Sequence, residues 1–241
     1  MGLDLNGNKL YNTSIGPKGE VLKSIVTDGL IFHLDAGNKN SYGGSGTTWT
    51  DLSGNANTGT LTNGPTFNSG NQGYIIFDGT NDYMDSNATS SNFTFGTGNF
   101  TIDMWYYPLT SYAAANSYLI DLGSNGTRLQ MYNNNIYFYG ANSTYALGSI
   151  GSGFAINNWY HIVATRNGSA LTIYINNSSV GTGTNGDNLT ENKYRIGAYG
   201  GSTTGYNFNG GIASVKIYKG VGFTSTMVTQ NYNIQKARFG L

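Results

Sequence analysis

The stretch Asn157-Asn158-Trp159-Tyr160-His161-Ile162-Val163-Ala164-Thr165-Arg166-Asn167-Gly168-Ser169-Ala170-Leu171-Thr172-Ile173-Tyr174-Ile175-Asn176-Asn177 decides the fold. Two runs rich in β-branched and aromatic residues, 159–165 and 171–175, flank Asn167-Gly168, a dipeptide that supplies the positive φ angles of a tight turn. The pattern predicts a β-hairpin. In its second strand Leu171, Ile173 and Ile175 face one way and Thr172, Tyr174 and Asn176 the other, so one side is buried and the other wetter. The first strand is apolar or aromatic on both sides, which suits a central strand with a core beneath and a partly covered face above. A lone two-stranded ribbon is marginal in water, so the rest of the chain must add strands.

Working outward, short alternating runs bounded by turn residues predict strands at 29–34, 58–61, 66–67, 74–77, 83–84, 100–107, 117–121, 128–132, 136–139, 179–180, 194–196 and 211–218. Pro108 closes the run at 100–107. Residues 41–57 are too rich in Gly and Asn for regular structure. One helix is expected, over 225–238, capped by Thr224 or Ser225, with Val228, Tyr232 and Gln235 on one face. Residues 1–28 form an N-terminal arm, read either as a loosely ordered terminus or as a segment that orders against a neighbouring subunit. Within them only 21–26 has a strand pattern. The expected organisation is therefore an arm (1–28), one all-β antiparallel two-sheet sandwich (29–223) and a C-terminal segment (224–241).

Composition sets limits on function. Of 241 residues only 10% are charged, with Lys+Arg and Asp+Glu at 12 each, so a basic footprint for nucleic acid is absent. Polarity comes instead from Asn, Ser, Thr and 36 Gly, with 19 Tyr, the mixture of short strands and tight turns. There is no Cys, which removes disulfide and thiolate chemistry. No apolar run approaches the roughly 20 residues of a membrane span, and the start lacks the basic and apolar regions of a secretory signal, so synthesis in a cytoplasm is expected.

Several ordered segments resemble the laminin-G-like branch of the concanavalin A-like lectin/glucanase superfamily. They include Leu34-Asp35-Ala36-Gly37-Asn38, Asp51-Leu52-Ser53-Gly54-Asn55, Ile76-Phe77-Asp78-Gly79-Thr80-Asn81-Asp82-Tyr83, Phe100-Thr101-Ile102-Asp103-Met104-Trp105, the opening hairpin, and Phe208-Asn209-Gly210-Gly211-Ile212-Ala213-Ser214-Val215-Lys216-Ile217-Tyr218. The resemblance implies an antiparallel jelly-roll sandwich. Leu34 to Asn38 leading into Gly46-Thr47-Thr48-Trp49, then Thr60-Leu61-Thr62-Asn63-Gly64-Pro65-Thr66-Phe67 and the ending Gln230-Asn231-Tyr232-Asn233-Ile234-Gln235-Lys236-Ala237-Arg238-Phe239-Gly240-Leu241, are similar to domains of tailed-bacteriophage structural proteins. That implies an exposed virion role in capsid decoration, fibre or tail adhesion. Its partners would be other virion proteins, copies of itself as a homo-oligomer, and cell-surface glycans. The rival reading is a carbohydrate-binding module of a secreted or cell-surface bacterial protein.

Because the superfamily includes glycosidases, catalysis is weighed first. A retaining glycosidase needs two carboxyl groups about 5 to 5.5 Å apart. The chain has two Glu, Glu20 and Glu191, far apart in sequence, and Asp103 has no acidic partner beside it on its strand. His33 and His161 lie in expected strands, where a structural imidazole is the ordinary reading, and neither nucleophile-elbow nor zinc spacing is present. The expectation is a non-enzyme without catalytic residues. For metals, the relatives imply a structural Ca²⁺. The oxygen-rich loops holding Asp51 and Asn55, and Asp78 and Asp82, read either as its ligands or as plain Asx turns. Where relatives carry Gly-x-Ile-Asp-Glu-Val, this chain has Gly211-Ile212-Ala213-Ser214-Val215, without the acids. For sugars, Tyr112, Tyr139, Tyr145, Tyr199 and Tyr206 in or near Gly/Ser/Asn-rich loops are the candidate stacking residues, the competing reading being subunit contacts.

Overall fold

The computed structural model describes residues 24–86, 89–111, 116–123, 127–139, 145–148, 153–200 and 206–241, with the backbone alone for Tyr145–Gly148. In chain order its strands are β1 (Leu30–Asp35), β2 (Thr48–Trp49), β3 (Gly59–Thr62), β4 (Thr66–Asn68), β5 (Tyr74–Asp78), β6 (Tyr83–Ser86), β7 (Phe100–Pro108) and β8 (Ser117–Asp121). They continue with β9 (Arg128–Tyr132), β10 (Asn135–Tyr139), β11 (Tyr145–Gly148), β12 (Tyr160–Asn167), β13 (Ala170–Ile175), β14 (Ser178–Thr184), β15 (Arg195–Ile196) and β16 (Asn209–Lys219). One helix, α1 (Ser225–Gln235), runs into a 3₁₀ turn, Lys236–Phe239. Every strand expected from residue 29 onward is present within a few residues of its expected ends. Two further short strands appear, β2 inside the Gly-rich loop taken as irregular, and β11.

The strands form two antiparallel sheets. The first runs β14-β13-β12-β7-β16-β5-β4, with β1 also paired to β16; the second runs β11-β10-β9-β8-β15-β6-β3-β2. Core residues from both sheets, among them Ile162 and Ile173 of the opening hairpin, Ile102, Met104 and Ile217 of the first sheet, and Leu129, Ile136 and Ile196 of the second, form one buried cluster between them. This is a jelly-roll sandwich of the concanavalin A type. The hairpin pairs Ile162 with Ile175 and Asn167 with Ala170, so its central turn residues are Gly168 and Ser169, one place later than the Asn-Gly dipeptide suggests. Gly168 takes φ +61 and Ser169 is not among the positive-φ residues, the pattern of a II′ turn.

Two bulges set which side chains face where. In β16, Ile212 pairs with Tyr106 and Ser214 with Trp105, leaving Ala213 as the extra residue. That single insertion turns Ile212, Val215 and Ile217 to the core and Lys216 and Tyr218 to the opposite face. In β8, Leu119 is the extra residue, so Leu119 and Ile120 both enter the core while Tyr118 and Asp121 share the outer face.

The outer face of the first sheet is covered. Val26, Val163, Tyr218, Phe223 and Val228 form one apolar cluster there, and Trp105, Trp159, Ala213 and Phe239 another. Thr224 caps α1 by accepting from the Met227 N–H. Beneath the helix lies a fully buried polar cluster. The Lys216 ammonium donates to Asp103 Oδ1 (3.2 Å), Ser214 Oγ (3.0 Å) and Gln235 Oε1 (2.8 Å). Asn231 donates to Asp103 Oδ2 (2.8 Å) and the Tyr218 hydroxyl (3.0 Å) and accepts from the Val26 N–H (2.8 Å). Gln230 donates to Ser24 O, so the described end of the N-terminal arm and the C-terminal segment meet on this face. Arg238 then ties the chain end to Asp35 (2.7 Å) and to the carbonyls of Asn71 and Gly73. The face predicted to be partly covered is sealed by Val26 and by the segment carrying Phe223, Val228 and Phe239.

Candidate functional site

The outer face of the second sheet has the opposite character. Alternation in β9 and β10 buries Leu129, Met131, Ile136 and Phe138, and turns Arg128, Tyr132, Tyr137 and Tyr139 outward, where they stay partly exposed. The β8 bulge adds Tyr118 and Asp121, β15 adds Arg195, and β6 adds Tyr83 and Asp85. The loop after β15 folds back over this face: Gly197, with φ +83, donates to Leu119 O and accepts from the Phe208 N–H, and Tyr118 N–H donates to Tyr206 O.

These contacts build a tyrosine wall. The Tyr118 ring lies 5.3 Å from Tyr199 and 5.5 Å from Tyr206, and the last two stand perpendicular at 6.3 Å. Tyr206 is 45% exposed and has φ +101, a backbone conformation that non-glycine residues adopt only when the surroundings impose it. The Arg128 guanidinium lies over three rings, those of Tyr139 (4.9 Å), Tyr118 (5.6 Å) and Tyr199 (5.7 Å). Each such contact is worth about 0.5–2 kcal/mol and fixes the cation in place. Burial pushes the Tyr118 phenol above its ordinary pKa.

Beside the wall is a cavity of about 300 Å³ lined by Asp85, Asp121, Gly123, Lys193, Arg195 and Gly200, among others. Arg195 grips Asp85 in a two-pronged ion pair, both contacts 2.6 Å, stacks over Tyr83 at 4.1 Å and donates to Tyr199 O. Asp121 accepts from Gly123 N–H (2.9 Å) and Gly200 N–H (3.0 Å). Burial raises the Asp121 pKa, and Glu191, packed over Gly123, is likewise raised by burial with Asp121 adding repulsion. A second cavity of about 300 Å³, lined by Asn55, Asn57, Thr58 and Phe93 among others, shares Ser86 and Tyr194 with the first. The first cavity is a polar groove that adjoins the tyrosine wall where Gly200 lines it and Arg195 reaches Tyr199 O.

Of the tyrosines expected to contact sugar, Tyr199 and Tyr206 are brought together here. Tyr112 lies outside the described residues, and Tyr145 is described only as a backbone position of β11, opposite Tyr139. The sequence reading missed Arg128, Tyr118, Asp121 and Arg195. The available signal was a charged or aromatic residue at an outward position of an expected strand in a chain with so few charges.

The loops weighed for calcium are occupied by their own backbone. Asp51 Oδ1 accepts from the N–H groups of His33 and Ser53 (2.9 Å each), and Oδ2 from Asn57 N–H (2.9 Å) and Ser53 Oγ (2.8 Å). Asn55 donates to Ser53 Oγ. Asp78 Oδ1 takes Thr80 and Asn81 N–H, and Asp82 Oδ2 takes Asp78 N–H. Backbone donors lower the Asp78 pKa although burial opposes them, while burial raises that of Asp82. Among the described residues no three His, Asp or Glu side chains gather as a metal group. Asp51 and Asp78 thus close Asx turns on the N–H groups two residues on, and Asp82 holds the Asp78 N–H.

Asp103 does have partners, contrary to its isolated look on the strand, but they are Lys216, Asn231 and His161 (Nε2 to Oδ1, 3.2 Å), in a site fully closed to solvent. Burial alone would raise its pKa; the Lys216 ammonium and His161 hold it well below the usual carboxylate range. A group so enclosed serves packing.

Residues 78–222, more than half of the chain, match the family described as the concanavalin A-like lectin/glucanases superfamily, in its laminin-G type. No curated protein matches. Among solved structures, the binding domain of Paraclostridial Mosquitocidal Protein 1 superposes with TM-score 0.69 at 18% identity, over 86% of this chain and 52% of that one. The receptor binding domain of botulinum neurotoxin type G gives TM-score 0.64 at 20% identity, covering 86% and 52%. The serotype D ligand binding domain in complex with N-acetylneuraminic acid gives 0.67 at 16%, covering 87% and 52%. This chain spans about half the length of each, and identities at this level establish the shared fold.

Proposed function

The chain belongs to the concanavalin A-like lectin/glucanase superfamily, and from that premise we propose that it is a non-enzymatic saccharide-binding domain whose ligand lies on the outer face of the second sheet. The observation that carries this is the Tyr118, Tyr199 and Tyr206 wall with Arg128, set beside a polar cavity of about 300 Å³. Aromatic faces take the apolar side of a pyranose ring, and convergent polar groups bond its hydroxyls. That several solved relatives are named as receptor- or ligand-binding domains supports the same reading. Of the carboxyls beside the cavity, Asp85 is locked on Arg195 and both Asp121 oxygens accept backbone N–H bonds, while Glu191 is held over Gly123 with its Oε2 buried and, among the described residues, without a hydrogen-bond partner. A glycan array followed by calorimetry tests the proposal, with Tyr206→Ala and Tyr199→Ala expected to weaken any hit by about tenfold each, the cost of one lost ring contact. Absence of binding across the array refutes it, and release of sugar product from any hit refutes the non-enzymatic part.

The finer assignment is a tailed-phage virion surface, with residues 1–28 docking the domain to virion proteins or to its own copies and the groove displayed outward. The wording of 34–38, 60–67 and 230–241 supports it. The alternative is a module of a secreted or cell-surface bacterial protein. Mass spectrometry of purified particles separates the two.

A further inference from the structure

Resting on the saccharide reading of this face, we propose that the ligand is an acidic saccharide, whose carboxylate docks on Arg128 while its ring lies against Tyr199 and Tyr206. The cation is held, yet among the described residues no acid pairs with it. Arg128 projects from the first position of β9, flanked by the rings of Tyr118, Tyr139 and Tyr199. Among the described residues no carboxylate oxygen comes within 4.0 Å of it, and its Nε is a buried donor without a hydrogen-bond partner.

A buried guanidinium donor left unmade is costly, and a planar carboxylate is the group that satisfies two of its N–H bonds at once. The nearby acids do not compete. Asp121 is the cross-strand neighbour of Arg128, yet its oxygens are turned to Gly123 and Gly200, and Asp85 is neutralised by Arg195. Lys193 adds a second cation to the cavity lining. A carboxylate meeting the terminal N–H groups of Arg128 would neutralise a cation that no neighbouring acid pairs, whereas a neutral sugar would only fill the wall, so the geometry discriminates by charge as well as by shape.

Calorimetry on the full chain would compare sialyllactose, a glucuronic acid oligomer, a sulfated lactose and lactose itself. The expected result is carboxylated ligands bound at least about tenfold more tightly than lactose, an advantage lost in Arg128→Gln, partly restored in Arg128→Lys, and weakened by salt. Should a variant misfold, the Arg128 Nε–H resonance of the unaltered protein is followed instead, and it must move on adding sialyllactose but not lactose. Equal affinity for acidic and neutral sugars overturns this inference and leaves the saccharide reading standing. Preference for the sulfated sugar over the carboxylated ones overturns the carboxylate assignment. Binding of none of the four overturns this inference, and the saccharide reading is then decided by the array alone.

Discussion

Replacing Lys216 with Met keeps the length of the side chain and removes one buried charge. In the native fold that ammonium is wholly enclosed and donates three hydrogen bonds, to Asp103, Ser214 and Gln235. Without it the Asp103 carboxylate keeps Asn231 on Oδ2 and His161 near Oδ1, but no permanent counter-charge. Removing one partner of a buried pair costs about 3–5 kcal/mol, which for a chain of this size lowers Tm by roughly 6–20 °C. Adding Asp103→Asn should recover part of that loss, because the orphaned charge goes with it.

The acid limb gives a second handle on the same pair. Asp103 has a folded pKa below its unfolded one, so its contribution is present above the unfolded value, near 3.9, and fades as the pH falls toward the folded value. In Lys216→Met the largest remaining influence is burial, which acts upward, so acid unfolding must begin at higher pH. Urea melts from pH 2 to 7 on the two single variants and the double measure this. A Lys216→Met protein within about 1 kcal/mol of wild type, with an unchanged acid limb, would refute the reasoning.

Other expectations follow from single residues. Burial, with Lys216 adding to it, holds the His33 pKa down at about 4 against 6.5, so it stays neutral while the unfolded chain protonates. Stability should therefore be full above pH 6.5 and fall by up to about 3 kcal/mol between there and pH 4, with His33→Gln flattening that slope in denaturant titrations. Arg166 is fully buried and donates to the carbonyls of Gly96, Gly98 and Asp187 and to Asn185 Oδ1. Arg166→Lys cannot reach all of them and should cost about 3 kcal/mol or more by chemical denaturation. At Gly197 an added Cβ would lie 2.6 Å from the Phe77 ring at positive φ, so Gly197→Ala should cost about 2–4 kcal/mol and loosen the loop carrying Tyr199, read as weakened glycan binding. With both Asp51 oxygens and Asp78 Oδ1 already accepting N–H bonds, Ca²⁺ against EDTA should leave Tm unchanged within about 1 °C, whereas a dose-dependent rise would show a bound cation.

Period-2 alternation made the sheets readable, because a half-buried strand repeats its polarity every second residue whatever lies beyond it. Leu171, Ile173 and Ile175 therefore announced their face. The strand β2 did not announce itself: two residues, Thr48 and Trp49, are too few to show a period, and the order comes from pairing with Thr60 and Gly59. Bulges hide in the same way, since Ala213 and Leu119 change which side is inward without changing the residue types around them. The buried charges were misread in kind. Asp103 looked solitary because Lys216 lies 113 positions away and Asn231 farther still. The tyrosine wall was half legible: loop composition picked out Tyr199 and Tyr206, but only the fold brings Tyr118 and Arg128 to them.

The strand β16 bonds to β7, to β1 and to β5, residues made long before it. A ribosome adding roughly 5–20 residues each second leaves β1 waiting on the order of 10–35 s for Asn209 to emerge. Until then β1 has no strand partner, and β7 and β5 have one edge each, filled by β12 and β4, so the first sheet closes only when β16 arrives. Slow, translation-timed closure is the cost of wiring so much of one sheet through a single late segment, and it makes codon speed just ahead of residue 209 a lever on yield.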